Sequence, residues 1–254
     1  MFEAELRFAH EVADRAAQIA LPPFRDGVEA HLKEDRTPVT EADLRIEALV
    51  REAVAERFPE DAVLGEEGGL LQNGSSDRTW IVDPIDGTRN FAAGIQVWAT
   101  LLALRVEDEL VLGVVSAPAL GERYDAVRGE GSRLNGEPIR VSGTSSPGEA
   151  ALCFGDPEAF DGHVSKEALL GLTGEVLRSR GFGDFWGHLL VARGSMDVMI
   201  EPSLAEWDYA ALVPIVEEAG GRITQTDGSP VAHGRSALTT NGVLHEAITA
   251  RFAR

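Results

Sequence analysis

The chain has a single cysteine, no long apolar run and few basic residues, and each shortage excludes a class of protein. One cysteine, Cys153, rules out an intrachain disulfide and a cysteine metal cluster, and its apolar neighbours predict a small core residue. With 23 basic against 42 acidic residues, the net charge of −19 disfavours nucleic acid and anionic membranes as partners. No apolar run approaches the roughly 20 residues that span a bilayer, and acids interrupt the N-terminal pattern, unlike a signal peptide. We therefore expect a cytoplasmic location.

What the sequence does contain is typical of a folded protein. Its 254 residues are 44% hydrophobic and 26% charged, enough for one large domain or two modest ones. The six histidines scatter without a metal-binding pair, which disfavours a zinc site. No Gly-x-Ser-x-Gly elbow and no Walker loop occurs, which argues against serine hydrolases and P-loop proteins. The acidic excess remains compatible with a small phosphorylated metabolite, provided that metal cations lie between the carboxylates and the phosphate.

Helical patterns dominate the N-terminal part. Apolar residues at helical spacing predict a helix over residues 2–20, with Pro22 and Pro23 as its end. Thr40 and Asp43 resemble a capping box, which predicts a second helix from this point to about residue 58.

Strand patterns follow, and then an alternation. Residues 95–142 carry β-type runs divided by polar and Asn-Gly turns, which predict successive strands of one antiparallel sheet. The stretch "GTSSPGEA" predicts a hinge, so we expect two lobes, residues 1–142 and residues 143–254. In the second lobe the pattern predicts helices and strands in turn, which favours an α/β lobe packed on an α+β lobe. These segments are helices near 164–171, 184–194 and 207–219, with strands at 174–180 and 196–201.

Acidic residues recur where a predicted strand ends or a predicted helix begins. They are Asp43, Glu66 with Glu67, Asp83 with Asp86, and Asp208. Each spot has an ordinary alternative when it is taken alone: a carboxylate favoured by the helix dipole, a solvated turn, a type I turn, or a helix cap. Because strand ends converge in space, the four spots together favour one shared site.

The segment "WIVDPIDGTRNFAAG", residues 80–94, is the most specific of these. Carboxylates buried beside a hydrophobic strand need a counter-charge, or their pKa values shift strongly. Pro84 fixes its own φ and keeps Asp83 extended, so that Asp83 and Asp86 flank the Ile85 carbonyl. Two carboxylates and a carbonyl oxygen are ligands that suit Mg²⁺.

A phosphate-binding turn is predicted next to these ligands. Gly87 and Thr88 are placed to open a helix whose free backbone N–H groups face an anion. A metal site and a phosphate site would then adjoin. Two Mg²⁺ ions about 3.5 to 4 Å apart activate a water molecule and stabilise the leaving oxygen of a phosphate ester.

The motifs "PVTEAD", "GEEGG", "DPIDGTRNF" and "EWDYAALVPIVEEAGGRITQTDG" occur in this order along most of the chain. In that order and spacing they resemble the inositol monophosphatase family of Mg²⁺-dependent, lithium-sensitive phosphatases. The resemblance implies a layered αβαβα sandwich, usually dimeric, with a phosphomonoesterase site between the lobes that holds two to three Mg²⁺ ions.

The resemblance also implies a ligand set for the metal ions. Glu66, Asp83 and the Ile85 carbonyl correspond to the ligands of the first Mg²⁺. Asp83, Asp86 and Asp208 correspond to the ligands of the second Mg²⁺.

Roles for the neighbouring residues follow from the same resemblance. Asp43 would support a third, weaker ion through water, and Gly87 and Thr88 would hold the phosphate. Glu66 together with Thr88 would activate the attacking water. Lys33 lies in the loop before the second helix, where it either neutralises charge or is a solvated lysine.

The segment after the hinge governs specificity in this family. Glu201 falls where inositol phosphatases use a glutamate to bind a sugar hydroxyl, a position that does not discriminate alone. The "GDFW" stretch and Arg89 resemble the bacterial histidinol-phosphatases of the family. Asp184 and Glu201 would form an acidic wall and Phe185 or Trp186 a flat apolar face, which suits a cationic substrate. A surface ion pair for Arg89 and a core position for Trp186 are the alternatives.

We therefore expect a phosphoric monoester hydrolase that acts on L-histidinol phosphate in histidine biosynthesis. The alternative within the same chemistry is inositol 1-phosphate or a broad set of sugar phosphates. A third hypothesis, from a different class, is a metal-binding scaffold that keeps the fold without catalysis. The expected partners are a small phosphorylated metabolite and a second copy of the chain in a homodimer.

Overall fold

The computed structural model describes residues 1–27, 31–32, 38–160 and 164–252. In chain order the helices are α1 (Glu3–Asp26), α2 (Glu41–Arg57), α3 (Thr88–Ala92), α4 (Lys166–Glu175), α5 (Asp184–Ala192), α6 (Glu206–Tyr209), α7 (Leu212–Glu218) and α8 (His245–Thr249). The first ten strands are β1 (His31–Leu32), β2 (Pro38–Val39), β3 (Ala62–Gly65), β4 (Gly69–Leu71), β5 (Arg78–Asp86), β6 (Ala99–Val106), β7 (Glu109–Ala117), β8 (Glu122–Val127), β9 (Ser132–Leu134) and β10 (Glu137–Pro138). The remaining strands are β11 (Ala151–Phe154), β12 (Arg178–Arg180), β13 (Val198–Leu204), β14 (Arg222–Thr224) and β15 (Arg235–Thr240).

The larger sheet has eight strands in the order β10-β9-β8-β7-β6-β5-β3-β4. Strands β5 to β10 pair antiparallel with their neighbours, which confirms the antiparallel run predicted over residues 95–142. Strand β3 is the exception, because it runs parallel to β5. This one parallel pair brings two strand ends to the same edge of the sheet.

The smaller sheet has five strands in the order β12-β11-β13-β15-β14. Strand β11 runs parallel to both β12 and β13, while β15 is antiparallel to β13 and β14. Cys153 lies on β11 and is fully buried, which confirms its expected place in the core. Burial raises the pKa of its thiol to about 12.

Helices cover both sheets and fill the space between them. Helices α1 and α2 pack on one face of the larger sheet through Phe8, Val12 and Val54. Helices α5 and α7 lie between the sheets, where Leu189 and Ile215 belong to a shared apolar core. Helices α4 and α8 pack on the outer face of the smaller sheet. The order of layers is therefore αβαβα, as the resemblance implies, whereas the lobe boundary near residue 143 stays a prediction.

Helix α1 does not end at its two prolines. It continues through Pro22 and Pro23 to Asp26, so the expected end was wrong. Each proline removes one helical N–H donor, but packing compensates in the last turn. The ring of Phe24 lies 5.3 Å from that of Trp98 and 5.7 Å from that of Phe91. In the described part of the chain, no helix is both long and apolar enough to cross a membrane.

The helix predicted over residues 207–219 is two helices, α6 and α7. In one continuous helix over residues 207–219, the N–H of residue 214 would bond to the Ala210 carbonyl, but proline has no N–H. In the structure Pro214 is the third residue of α7. A proline is tolerated in the first turn of a helix but not in the interior. The chain therefore starts a new helix just before Pro214.

Candidate active site

The parallel pairing of β3 with β5 places Glu66 beside Asp83. Gly65 is in register with Val82, and the next residue on each strand is one of the two acids. The backbone N–H of Glu66 donates to the Val82 carbonyl at 3.3 Å, which continues the ladder past the end of β3. The prediction that these strand ends converge is therefore confirmed.

A β-bulge in β5 brings Asp83 and Asp86 to the same side. Asp83 pairs with Leu101 and Asp86 pairs with Ala99, so two residues of β5 oppose one residue of β6. Residues three apart point to opposite faces of a regular strand, and the extra residue of a bulge reverses this. Pro84 suits the bulge because it has no N–H to pair, and its carbonyl accepts from Thr100 Oγ1 at 2.8 Å.

The chain turns sharply after this bulge and begins α3. Gly87 has a φ of 81°, and a Cβ there would lie 2.8 Å from the Val97 carbonyl oxygen. Thr88 is the first residue of α3, and its hydroxyl donates to the Ile85 carbonyl at 2.9 Å. The same hydroxyl lies 3.5 Å from Asp43 Oδ1, so α2 reaches the turn as well.

Asp43 and Asp208 each sit in the first turn of a helix. Asp43 accepts the Thr40 N–H at 2.8 Å, and both bonds of the predicted capping box are present. Asp208 accepts the Ala205 N–H at 2.7 Å at the start of α6. Each aspartate caps its helix with Oδ2, while Asp43 Oδ1 lies 3.5 Å from the Thr88 hydroxyl and the Asp208 carboxyl group bonds to Asp83.

Electrostatic coupling shows that these acids share one site. Burial raises the pKa of Asp83 well above its ordinary value, and the charges of Glu66, Asp86, Asp208 and Asp43 raise it further. Burial also raises the pKa of Asp208, from 3.8 to about 7, with a further contribution from Glu66. Carboxylates repel one another at this range, so a cation between them would be strongly favoured.

A cavity of about 390 Å³ opens next to these acids. Its lining includes Glu66, Gly87, Thr88, Arg89, Asp184 and Glu201, and a Cβ on Gly87 would lie 3.5 Å from Asp184 Oδ2. The predicted phosphate residues and most of the predicted specificity residues therefore line one cavity, together with Glu66 of the predicted metal ligands. Asp83 and Asp208 do not line it, but both are coupled to Glu66 through their charges.

Asp184 is held tightly at the wall of this cavity. It begins α5 with a φ of 56°, a left-handed conformation that is uncommon outside glycine. Asn90 donates to Asp184 Oδ2 at 3.0 Å and to the Val97 carbonyl at 2.9 Å, which ties Asp184 to the α3 turn. Backbone strain of this kind is often found at functional sites.

Glu201 is the most deeply buried acid of the wall, with 8% of its surface exposed. Its Oε2 atom has no hydrogen-bond partner in the described structure. A Cβ on Gly155 would lie 1.8 Å from Glu201 Oε1, so only glycine leaves room for this carboxylate. A buried, unpartnered carboxylate oxygen at a cavity wall is suited to a hydrogen-bond donor or a cation.

The aromatic face of the cavity differs from the expectation. Phe185 is buried in the core between the sheets, and its N–H rather than its ring serves the site, donating to Asp86. Trp186 packs with its ring 5.0 Å from that of Phe182 and is not among the described residues that line the cavity. Phe154, at the end of β11, lines the cavity instead. Phe185 does not line the cavity because the turn from β12 into α5 directs its ring into the core.

Three further residues support the site and were not predicted. Asn90 positions Asp184, Asp156 lies at the cavity mouth with its carboxylate 3.8 Å from Arg89, and Glu47 holds the turn after Glu66. Asn90 lies within the recognised "DPIDGTRNF" motif, so the sequence did carry a signal for it. Lys33 lies outside the described residues.

The chemistry of the acids fits a divalent metal ion. Asp83 Oδ1 is buried without a hydrogen-bond partner, and carboxylate and carbonyl oxygens are the ligands that Mg²⁺ prefers. Within the described ranges, no group of three or more His, Cys, Asp or Glu side chains is arranged so that it could hold a metal ion as the side chains stand. Asp86 instead accepts the N–H of Phe185, and Asp208 accepts the N–H of Ala205.

A second cleft, of about 450 Å³, lies between α1 and the strands β7 to β9. Its charged groups form ion pairs within the cleft or with residues just outside it. Asp125 lies 3.7 Å from His10 and 3.5 Å from Arg133, and Arg123 bonds to Asp14 at 2.7 Å. The reactive groups of the molecule converge at the smaller cavity rather than here.

Comparison with known proteins gives matches over nearly the whole chain. The model of the inositol monophosphatase family matches residues 3–254. A histidinol-phosphatase of Mycobacterium tuberculosis is 42% identical over 258 residues, covering 99% of both chains. A histidinol-phosphatase of Streptomyces coelicolor is 40% identical over 252 residues, covering 95% of this chain and 94% of the relative. The structure of an inositol monophosphatase from Zymomonas mobilis is 31% identical and superposes with a TM-score of 0.87, covering 98% of both chains.

Proposed function

The chain belongs to the inositol monophosphatase family, and from this we propose that it hydrolyses L-histidinol phosphate to L-histidinol and phosphate. It is a phosphoric monoester hydrolase of small phosphorylated substrates. The observation that carries the substrate assignment is the acidic wall of the cavity, which contains Asp184 and Glu201, with Glu201 Oε2 buried and without a hydrogen-bond partner. Relatives that are 40% and 42% identical over nearly their full length and are named histidinol-phosphatases support the same choice.

The family depends on Mg²⁺, and we place two to three ions per site as part of the proposal. Glu66, Asp83, Asp86, Asp208 and the Ile85 carbonyl are the residues that would hold them. When bound, Mg²⁺ neutralises the phosphate and lowers the pKa of a coordinated water. The raised pKa values of Asp83 and Asp208 support this set, because burial and then repulsion raise them, and a bound cation would favour the charged carboxylates against both.

The turn at Gly87 and Thr88 binds and orients the phosphate in this proposal. The left-handed Gly87 lets the backbone approach the ligand closely, and Thr88 offers a hydroxyl at the first position of α3. That hydroxyl bonds to the Ile85 carbonyl and lies within reach of Asp43, so its orientation is fixed. Thr88 and Glu66 together are placed to orient the attacking water and accept its proton.

The wall of the cavity binds the rest of the substrate. L-histidinol phosphate carries an ammonium group and an imidazole, which pair with carboxylates more strongly than neutral hydroxyls do. Asp184 and Glu201 supply this negative charge, while Arg89 beside Asp156 orients the outer part of the wall. The assignment of Trp186 as a substrate contact has no support from its position.

A homodimer and a cytoplasmic location complete the proposal. The resemblance to the family favours a dimer of identical chains. The expected place in histidine biosynthesis favours the cytoplasm.

A substrate panel tests the proposed function. The purified protein is assayed for phosphate release from L-histidinol phosphate, inositol 1-phosphate and fructose 1,6-bisphosphate, with MgCl₂ and with EDTA. We expect kcat/KM to be at least about tenfold higher for L-histidinol phosphate, because its ammonium pairs with buried carboxylates that neutral hydroxyls leave unmatched.

Two other outcomes of the panel would favour the alternative functions, an inositol phosphatase or a scaffold. A higher kcat/KM for inositol 1-phosphate would replace the proposed substrate. Glu201 also accommodates this second candidate, because a buried carboxylate accepts hydrogen bonds from sugar hydroxyls as well. No release from any substrate in the presence of MgCl₂ would instead indicate a non-catalytic metal-binding scaffold.

A further inference from the structure

Glu47 is a buried carboxylate that lies outside the proposed set of metal ligands. It is on α2, one helical turn after Asp43, with 4% of its side chain exposed. Its two oxygens accept from two consecutive backbone N–H groups, Glu67 at 2.7 Å and Gly68 at 2.8 Å. These are the first two backbone N–H groups after Glu66, so Glu47 is hydrogen-bonded to the turn that follows this proposed ligand.

Arg51 holds Glu47 in this position from the next turn of α2. Its Nε and Nη2 atoms donate to Glu47 Oε1 at 2.9 and 2.7 Å. Nη2 also donates to the Gly69 carbonyl at 2.7 Å, and Nη1 donates to the Val63 carbonyl at 3.4 Å. The pair therefore contacts β3, β4 and the turn between them.

Two glycines of the "GEEGG" motif are explained by this close approach. A Cβ on Gly65 would lie 2.4 Å from the Glu47 carboxyl carbon. A Cβ on Gly68 would lie 2.8 Å from Glu47 Oε1 and 2.9 Å from Arg51 Nη2. Neither glycine has a positive φ, so the need for space rather than the turn conformation requires glycine there. The motif that supplies Glu66 is thus shaped around the Glu47 side chain.

We propose that Glu47, backed by Arg51, is a positioning residue that holds Glu66 in place for Mg²⁺. The inference rests on the proposed function, since it takes Glu66 as a metal ligand. Residues that orient metal ligands typically change metal affinity or activity by about 10- to 100-fold when they are replaced. Glu47 and Asp43 lie on the same face of α2, so one rigid helix positions acids on two sides of the site.

The test is Mg²⁺ binding to Glu47→Gln, measured by titration calorimetry with MgCl₂ and no substrate. Glutamine keeps the shape, but it loses the charge that Arg51 binds and presents an NH₂ group to one of the two backbone donors. We expect Mg²⁺ affinity to fall by about tenfold. In assays the MgCl₂ concentration for half-maximal activity should rise by the same factor, while kcat at saturating MgCl₂ and the KM for substrate change little.

Asp61→Asn is a matched control for lost stability. Asp61 is buried just before β3 and accepts from Arg78 at 3.0 Å and Trp80 at 3.1 Å, so it resembles Glu47 at the opposite end of the strand. Its replacement should lower the melting temperature and leave Mg²⁺ affinity unchanged. If Glu47→Gln behaves in the same way, Glu47 only supports the fold and the inference is wrong.

Gly68→Ala provides a second variant that removes no charged group. Its new Cβ must push the Glu47–Arg51 pair away from the turn, so Mg²⁺ affinity should fall here too. Gly171→Ala, where a Cβ meets nothing within 4 Å, is the control. This variant decides the question if Glu47→Gln does not fold. Unchanged Mg²⁺ affinity in Gly68→Ala overturns the inference alone, whereas a wild-type protein that binds no Mg²⁺ overturns the proposed function as well.

Discussion

The backbone N–H of Phe185 donates a 2.7 Å hydrogen bond to the carboxylate of Asp86. This bond joins the start of α5 to the bulged end of β5, although 99 residues separate the two in sequence. Asp184, the residue before Phe185, is tied to α3 through Asn90. The end of the cavity that we assign to phosphate and the wall that we assign to the substrate cation are therefore held at a fixed distance.

Asp83→Asn should stabilise the protein in the absence of Mg²⁺. At neutral pH the folded wild type must either bury the Asp83 charge among other acids or take up a proton to neutralise it. Asparagine avoids both costs, so the melting temperature in EDTA should rise by a few degrees. The same variant should lose the gain in melting temperature that MgCl₂ gives the wild type, together with more than about 100-fold in kcat/KM. A variant that MgCl₂ still stabilises as strongly as the wild type would remove Asp83 from the ligand set.

The free energy of unfolding without Mg²⁺ should fall as the pH rises from about 4 to 7. The pKa of Asp208 is raised from 3.8 to about 7, so in this range the unfolded chain loses a proton that the folded chain keeps. Stability from this group is complete below pH 4 and is lost as the pH passes 7. Urea unfolding in EDTA at several pH values measures the slope, and Asp208→Asn should reduce it. An unchanged slope in that variant would contradict the assignment.

Asp156→Asn should raise the KM for L-histidinol phosphate by about two- to fivefold, the range for a half-exposed charge. Asp156 lies close enough to Asp184 and Glu201 for its charge to raise the pKa of both, so it adds to the negative potential of the wall. The KM for inositol 1-phosphate, which carries no ammonium, should not rise. Asp108→Asn removes an equally negative charge from an exposed turn far from the cavity and serves as the control. Equal increases for both substrates would show that Asp156 does not select the cation.

Gly155→Ala should lower kcat/KM by about tenfold or more, because its Cβ would displace the Glu201 carboxylate from the wall. Steady-state kinetics with L-histidinol phosphate measures the loss. Gly174→Ala, where a Cβ meets nothing within 4 Å, should leave kcat/KM unchanged. Wild-type kinetics in a folded Gly155→Ala variant would mean that Glu201 does not bind substrate.

Local chemistry made part of this site predictable from sequence. The capping box at Thr40 and Asp43 and the turn signals between strands depend on neighbouring residues, and the structure has both. To predict that Glu66 lies beside Asp83, one further assumption was needed, namely that the two strand ends meet at one edge of a sheet. The family motif supplied the remaining acids, which local patterns alone left as caps and turns.

Features that depend on distant packing were not predictable. Helix α1 passes Pro22 because Phe24 packs on rings that lie far along the chain. Glu47 carries no local signal, since a Glu and an Arg four residues apart are typical of any exposed helix face. Only the structure shows that this pair is buried against the "GEEGG" turn. The inward direction of Phe185 likewise depends on the second sheet.

The wide spacing of the acids along the chain affects the order of folding. Asp208 lies in the first turn of α6, far along the chain, and α6 packs on β5 and β6, so the Asp208 charge joins those of the other acids only when α6 covers the larger sheet. The repulsion among Glu66, Asp83 and Asp86 arises within the larger sheet, and the part that Asp208 adds arises in a later step of assembly. Mg²⁺ therefore acts on the docked state: it should slow unfolding far more than it speeds the early steps of folding.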